Sequence, residues 1–598
     1  MNNNDSRILI RETYLSILPA QLLAALIPYL SGIINGLVIG NCYSSNMLAV
    51  IGFSTPVVYF LSAVRTLFSI GAGTTSGNFM GQGRLAKVNE TYRLCIRSLV
   101  MTGLVMTLLI MVFTSSAAGM LAKDSELLSE TEDYLRGLAV GFVPCLLIPF
   151  LSVFLQLAGS SRKVVVSSVM NASLNLIFDL AAVKIFNAGI MGIGLATSLA
   201  QLVCAVYLII SIRGTGFVKF SMEPSDIRIL GNVFRFGINS CMLLIMETFR
   251  NSTIVRQSLL TGGIAASAAT SLLFSSSGIV DFITSGFMSS SGMVASLYAG
   301  EENEDSLRMT AVWGMVAGGA AGLASGILLL IFAEPVAIAF GAKQAELELS
   351  VICLRTYAAY IMIANPLQVI LRVYQCLKRV KLNFAIMFAK EIMIAVPLVF
   401  ILGNRLGPRG IWMCFPLSTA AAILIVIAVS MYMCRRQGRD HMDLIWYNEG
   451  ETFTDSENYY LSGSDEVYNV LHGIEGFCRR NDTDKKSRLA CRLLAEENIR
   501  NLLEHGASAG RNRGLKINVF IGTDGSKTRL VFQDNSSQFD PLKRFRVYDE
   551  TDDELLHDAS VSIVKSIANN ISYQFSFGMN ILMIDLLHEA AAETGHGK

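Results

Sequence analysis

The chain has 598 residues, of which 52% are apolar and only 16% charged, and its formal net charge is +1. A typical soluble protein carries roughly 25% charged residues, so a wholly soluble chain is excluded. The balanced charge, with no dense Lys/Arg tract, gives no footing for nucleic-acid binding.

A bilayer crossing takes about 20 mostly apolar residues. Twelve such stretches follow in chain order: 15–40, 49–78, 94–118, 134–160, 163–186, 191–213, 234–262, 266–297, 309–338, 350–378, 383–405 and 409–434. The first lies in MNNNDSRILIRETYLSILPAQLLAALIPYL, which lacks a small-residue cleavage site and reads as a retained helix rather than a signal peptide. Several stretches exceed the minimum, so tilt or extension beyond the bilayer is expected. The eleven cysteines are scattered without a CxxC or a Cys/His cluster, which fits small apolar fillers of helices better than zinc or disulfides.

Loop charge sets the orientation. With the amino terminus inside, Arg84, Lys87, Arg93, Arg162, Lys163, Arg213, Lys378, Arg379 and Arg435 gather on the cytoplasmic side, and the opposite loops are neutral or acidic. This predicts a multi-pass protein of the plasma (inner) membrane with both termini in the cytoplasm. The two halves echo each other. GNFMGQGR around Gly81 pairs with SLYAGEEN around Gly300, 219 positions on, and AGIMGIG around Gly192 pairs with RLGPRGIW around Gly410, 218 positions on. The expected fold class is therefore a helical polytopic body of two six-span lobes, 1–214 and 215–436. A linker over 437–454 and a cytoplasmic α/β sandwich over 455–598 follow it.

Polar groups within hydrocarbon are costly, and each calls for a reason. Asn175 and Asp179 lie at i, i+4 on one helix face, and Thr197 follows a glycine turn early in the next span. A carboxylate with an amide and a hydroxyl suits Na⁺ or a titrating proton. Glu247, Arg250, Asp281 and Arg65 are the other notable intramembrane charges. Arg250 is placed to pair with Glu247 along the helix, and Asp179, Glu247 and Asp281 would make an acidic cavity if all three faced it.

Three phrases carry a family resemblance: IPYLSGIINGLVIG, the glycine-rich end of the second stretch followed by GQGR, and NLIFDLAAVKIFNAGIMGIGLATS. Over residues 10–435 the chain resembles the multidrug and toxic compound extrusion (MATE) family. The resemblance implies a secondary exporter coupled to H⁺ or Na⁺, with the amino-lobe cation site on Asn175, Asp179 and Thr197. An acid common in the family's first span is here Asn35, which thins the charge available to a cation. Glu247 matches an acid that some branches use for cation or drug binding. Related flippases of lipid-linked sugars share the architecture.

Past Arg436 the pattern changes. SDEVYNVLHGIEGFCRR and KKSRLACRLLAEENIRNLLEHG have helical periodicity, and LKINVFIGTD and KTRLVFQDN read as strands around a DGSK turn. A helix over 553–570 and a last strand near 578–587 complete the expected sandwich. Glu497, Asn501 and His505 share one helix face at i, i+4, i+8. With VFQDNSSQFDP and ISYQFSFGMNILMI, this resembles GHKL-type ATPases, particularly the anti-sigma-factor serine-kinase branch. The resemblance implies Glu497 as general base, Asn501 as ligand of the Mg²⁺ of Mg·ATP, and Asp534 as acceptor of the adenine amino group. Two glycines of that family are missing. Ser536 stands in the adenine box, and His557-Asp558-Ala559-Ser560 replaces the second glycine motif. Kinase activity, nucleotide binding without turnover and nucleotide-free protein docking all stay open.

The reading favoured is a cation-coupled exporter of small, cationic or amphipathic organic compounds, with a fused regulatory domain that meets a cytoplasmic partner. The alternatives are a membrane sensor controlling that domain and a flippase for lipid-linked sugars.

Overall fold

Apolar chain crossing a bilayer must satisfy its own backbone hydrogen bonds, and long helices meet that demand within one segment. The computed structural model describes residues 9–26, 29, 45–121, 127–218, 226–342, 344–438, 443–446, 453–461, 463–506, 515–538 and 568–588. Among these, nine helices are long and apolar enough to cross a membrane. The pair Leu128–Ala139 and Phe142–Leu157, bent by 44°, makes a tenth span if counted as one. These match the second to seventh and ninth to twelfth expected stretches. Of the first, a helix over 9–26 is described, and most of its remainder lies outside the described residues.

The seventh and eighth stretches follow one another without a loop over Arg228–Ser276. At 1.5 Å per residue, 49 helical residues would run more than twice the hydrocarbon thickness. The chain turns inside it at Gly263, whose φ of 67° and ψ of −160° suit glycine alone. The eighth span then continues as Gly278–Glu301. In the eleventh, Val380–Leu406, a π-helical turn over Ala389–Ile394 widens the backbone at two charged residues.

The glycine echoes occupy equivalent places. A Cβ on Gly81 would lie 2.0 Å from the Leu297 carbonyl oxygen, and one on Gly300 would lie 2.2 Å from that of Asn78, so the second and eighth spans cross backbone to backbone. A Cβ on Gly192 would come within 3.4 Å of Ala182, and one on Gly410 within 2.3 Å of the Leu402 oxygen. Each of these two glycines seats the last span of its lobe against the span before it.

After the helical body come strand β1 (Asp455–Leu461), helices α1 (Val467–Arg480) and α2 (Lys485–Gly506), and strands β2 (Ile517–Thr523), β3 (Lys527–Asp534), β4 (Ala568–Ser576) and β5 (Met579–Leu587). The sheet order is β1-β2-β3-β5-β4, with every neighbouring pair antiparallel. In the β2–β3 turn, Asp524 accepts from the backbone of Ser526 and Lys527 at 2.9 and 3.0 Å, and Gly525 takes a φ of 82°.

One sheet face, with Val519, Ile521, Leu530, Phe532 and Ile584, shares a core with Val470, Ile474, Phe477, Leu494 and Ile499 of the two helices. Phe520, Val531, Ile581 and Met583, on the other face, belong to the core of the helical body. Burial on both faces explains why every residue of β2 is buried, where a one-sided antiparallel strand would alternate. Two expectations change. The end of the helix expected over 553–570 is instead the start of β4, because Ala568–Ser576 pairs with β5; the earlier part of that helix lies outside the described residues. β1, in the polar DSENYYL, was not foreseen, since it owes its form to pairing with β2.

Candidate functional site

The N-lobe cluster forms where the fifth span, Ser161–Lys184, packs on the sixth, Gly189–Arg213. Asn175 donates to Thr197 Oγ1 at 3.1 Å, so two of the expected residues meet across the spans. Asp179, one turn further along the fifth span, is fully buried beside them. Asn35 lies outside the described residues.

In the C-lobe, Arg250 of the seventh span donates to Glu391 of the eleventh, and Lys390 donates to the other oxygen of the same carboxylate. The pairing expected between Arg250 and Glu247 is therefore redirected: Glu247 lies within electrostatic reach of the pair, and Glu391 takes the guanidinium. The π-helical turn places Lys390 and Glu391 together in the interior, where both are buried. Arg250 also stacks over the Phe415 ring at 5.0 Å and Lys390 over Tyr360 at 5.6 Å, contacts that suit desolvated cations.

Asp281 of the eighth span accepts from Tyr357 at 2.7 Å. Tyr29, whose ring lies where a Cβ on Gly278 would fall, is within electrostatic reach of Asp281, Glu247 and Arg65. Arg65, Glu247 and Asp281 all lie within electrostatic reach of Tyr29, and the group also takes in one cation and one acid that the sequence reading did not name. Lys390 and Glu391 are those missed residues. Their signal was two adjacent charges within FAIMFAKEIMIAVPLVF, a run otherwise apolar and polar-free. Arg65, Arg250 and Lys390 thus stand in the same region as Glu247, Asp281 and Glu391, three basic residues to three acidic ones.

In the C-terminal part, Glu497 accepts from Asn501 at 3.2 Å and from Arg500. His505 lies in the same helix, with its side chain outside the described residues, as are residues 557–560. Asp534 is buried, and its Oδ1 accepts from the Ser536 amide at 2.9 Å, from the Ser536 hydroxyl and from Asn580 at 2.9 Å. One oxygen of the Asp534 carboxylate is thus occupied by three donors of its own chain.

The fold and these clusters define a polytopic membrane protein of paired helical lobes with buried charge in each. Residues 21–181 and 240–401, more than half of the chain, match the MatE family. The chain belongs to that family. The multidrug export protein MepA of Staphylococcus aureus is 24% identical over 231 residues, covering 38% of this chain and 51% of MepA. MepA of Staphylococcus haemolyticus is 22% identical over 234 residues, covering 38% and 50%. The chain thus spans about half the length of the curated relatives it matches. Among solved structures, a MATE protein in complex with MaD3S aligns with a TM-score of 0.66 at 15% identity, covering 73% of this chain and all of the other. A MOP superfamily transporter from Pyrococcus furiosus, described as having a binding pocket of reversed polarity, aligns with a TM-score of 0.66 at 14% identity over the same shares.

Proposed function

We propose that the protein is a secondary exporter of small, cationic or amphipathic organic compounds, driven by H⁺ or Na⁺ through alternating access. Asp179 holds the coupling cation, assisted by Asn175 and Thr197. The observation that carries this reading is the Asn175–Thr197 bond beside a buried Asp179, within a MatE body whose relatives include multidrug export proteins. A carboxylate kept from water and flanked by an amide and a hydroxyl exchanges a cation at moderate cost. Glu247, Asp281 and Arg65 shape the substrate cavity, with Arg250, Lys390 and Glu391 setting its charge.

The C-terminal part acts as a GHKL-like regulatory module on the cytoplasmic side of the plasma membrane. It works by docking rather than by turning over ATP, in keeping with the absence of glycine from His557-Asp558-Ala559-Ser560. The test is flux of ethidium into proteoliposomes under an imposed proton or sodium gradient. Asp179→Asn is expected to lower gradient-driven flux at least tenfold; undiminished flux overturns the coupling role. A second reading, a flippase for anionic lipid-linked sugars, draws on the cations Arg65, Arg250 and Lys390. Movement of an anionic lipid-linked sugar with no ethidium flux would favour it.

A further inference from the structure

The sheet face turned away from α1 and α2 reaches both lobes. Toward the N-lobe, Ser576 donates to the Leu157 carbonyl and Gln574 to that of Met80 at 3.4 Å. Phe577 O accepts from Ser16 at 3.3 Å, and Lys516 pairs with Glu12 at 3.0 Å. Toward the C-lobe, Gln533 Nε2 lies 3.0 and 3.1 Å from the two carboxylate oxygens of Glu301, and both side chains are fully buried. The side-chain amides of Asn303 and Asn458 donate hydrogen bonds to each other's oxygens at 3.1 and 3.2 Å.

The segment leading into the sheet is fixed to the C-lobe. Asp443 pairs with Arg308 at 2.5 Å, Leu444 O accepts from Tyr374 at 2.9 Å, and the Arg379 guanidinium lies 4.2 Å from the centre of the Trp446 ring. The tip of the β4–β5 hairpin is the sharpest contact. Phe577 and Gly578 both have positive φ, 54° and 81°, as a tight two-residue turn requires. A phenylalanine is disfavoured there, yet its ring is buried in the core of the helical body. Packing against the N-lobe holds that conformation in place.

We propose that the C-terminal sheet is a clamp bonded across the two lobes, and that its release from one lobe is required before the side bearing it can open. The inference rests on the alternating-access reading, in which one lobe rocks against the other. Opening that side parts the Gly81–Gly300 crossing, and a sheet hydrogen-bonded to both lobes cannot follow both. Undocking would expose Phe520, Val531, Phe577, Ile581 and Met583 to water, so the closed arrangement is favoured until something else covers or displaces that face. Glu301 and Gln533 form the C-lobe latch, and Phe577 the N-lobe wedge.

The test places spin labels at Arg162→Cys and Lys381→Cys, exposed positions in opposite lobes at the domain-bearing end, and reads their separation in full-length protein in lipid. The labels go to these sites preferentially, because nine of the ten described native cysteines are buried. In the background carrying native Gln533, a single short-distance population is expected. Gln533→Glu sets two carboxylates against each other and is expected to add a longer-distance population and raise ethidium flux severalfold. The reciprocal exchange, Glu301→Gln with Gln533→Glu, is expected to restore the short distance and the lower flux, which a general folding defect would not do. Phe577→Ala is expected to open the same side from the N-lobe end. Unchanged distances in both Gln533→Glu and Phe577→Ala, or a reciprocal variant as open as the single one, would overturn the clamp. Distance changes with no ethidium flux in any variant would support the clamp and count against the exporter reading.

Discussion

Arg250 on the seventh span and Glu391 on the eleventh join two walls of the C-lobe through a buried guanidinium–carboxylate bond. Lys390 completes the carboxylate's partners and Glu247 lies in reach, so two cations and two acids are gathered. Such a group is stable only as a set. Its desolvation cost is offset by mutual attraction and by the aromatic faces of Phe415 and Tyr360.

Removing one member should therefore cost more than removing a pair. Glu391→Ala leaves a buried guanidinium and a buried ammonium uncompensated, and breaking a buried pair typically costs about 3–5 kcal/mol. Replacing Arg250 and Glu391 together by Met should cost clearly less than Glu391→Ala. Melting temperatures of the purified variants in detergent check this; a double variant less stable than the single one would show that the pair is not the main partner set.

At the N-lobe cluster the expected effect is on function more than on stability. Thr197→Val keeps the shape of the side chain but removes the acceptor of the Asn175 amide. A hydrogen bond of this kind contributes about 0.5–1.5 kcal/mol net. If the bond orients the site for its cation, the ion concentration for half-maximal flux should rise by up to about tenfold, since a factor of ten corresponds to about 1.4 kcal/mol. A wild-type ion dependence in Thr197→Val would confine the bond to helix packing.

The membrane body was legible because hydrocarbon enforces a simple rule: apolar length predicts a span. The stretches at 163–186 and 191–213 became Ser161–Lys184 and Gly189–Arg213, with edges within a few residues. The gap between the stretches at 234–262 and 266–297 falls where Gly263 turns the chain, although helix resumes at once on its far side. Helix spacing and a glycine turn singled out Asn175 and Thr197, and their side chains meet across the two spans. The partner of Arg250 was not, because i, i+3 proximity favours Glu247 and only tertiary packing brings in Glu391 from 141 residues away. The second buried face of the sheet was equally hidden. Alternation shows that a strand has two faces, and the consecutive apolar residues Val519, Phe520 and Ile521 were the one local sign that both are covered.

Gly81 and Gly300 offer a test of the repeat. A methyl group on either would press into a backbone oxygen of the facing span, which side-chain rotation cannot relieve. Overpacking of this kind costs typically about 1–3 kcal/mol. Gly81→Ala and Gly300→Ala should each lower the melting temperature. Because both force the same two spans apart, the double variant should lose less than the two single losses added together. Strict additivity would mean that the glycines act at separate contacts.

Asp534 gives a pH-dependent prediction within the C-terminal part, outside the membrane spans. Burial raises its carboxyl above the ordinary 3.8, against the opposing pull of the donors on Ser536 and Asn580. A raised folded-state value means that the protonated acid is favoured by folding. Its stabilising contribution is complete below the unfolded value and is lost as pH rises through the folded one. Asp534→Asn keeps an oxygen acceptor for the Ser536 amide and for Asn580 but cannot ionise. Relative to this variant, the wild-type sheet should therefore lose stability as pH rises from about 4 toward neutrality. Hydrogen exchange of β3 and β5 in the full-length protein, corrected for the intrinsic pH dependence of exchange, measures the difference. A wild-type-minus-variant difference that stays flat, or that grows in favour of the wild type as pH rises, would mean that the three donors outweigh burial and hold the carboxylate ionised.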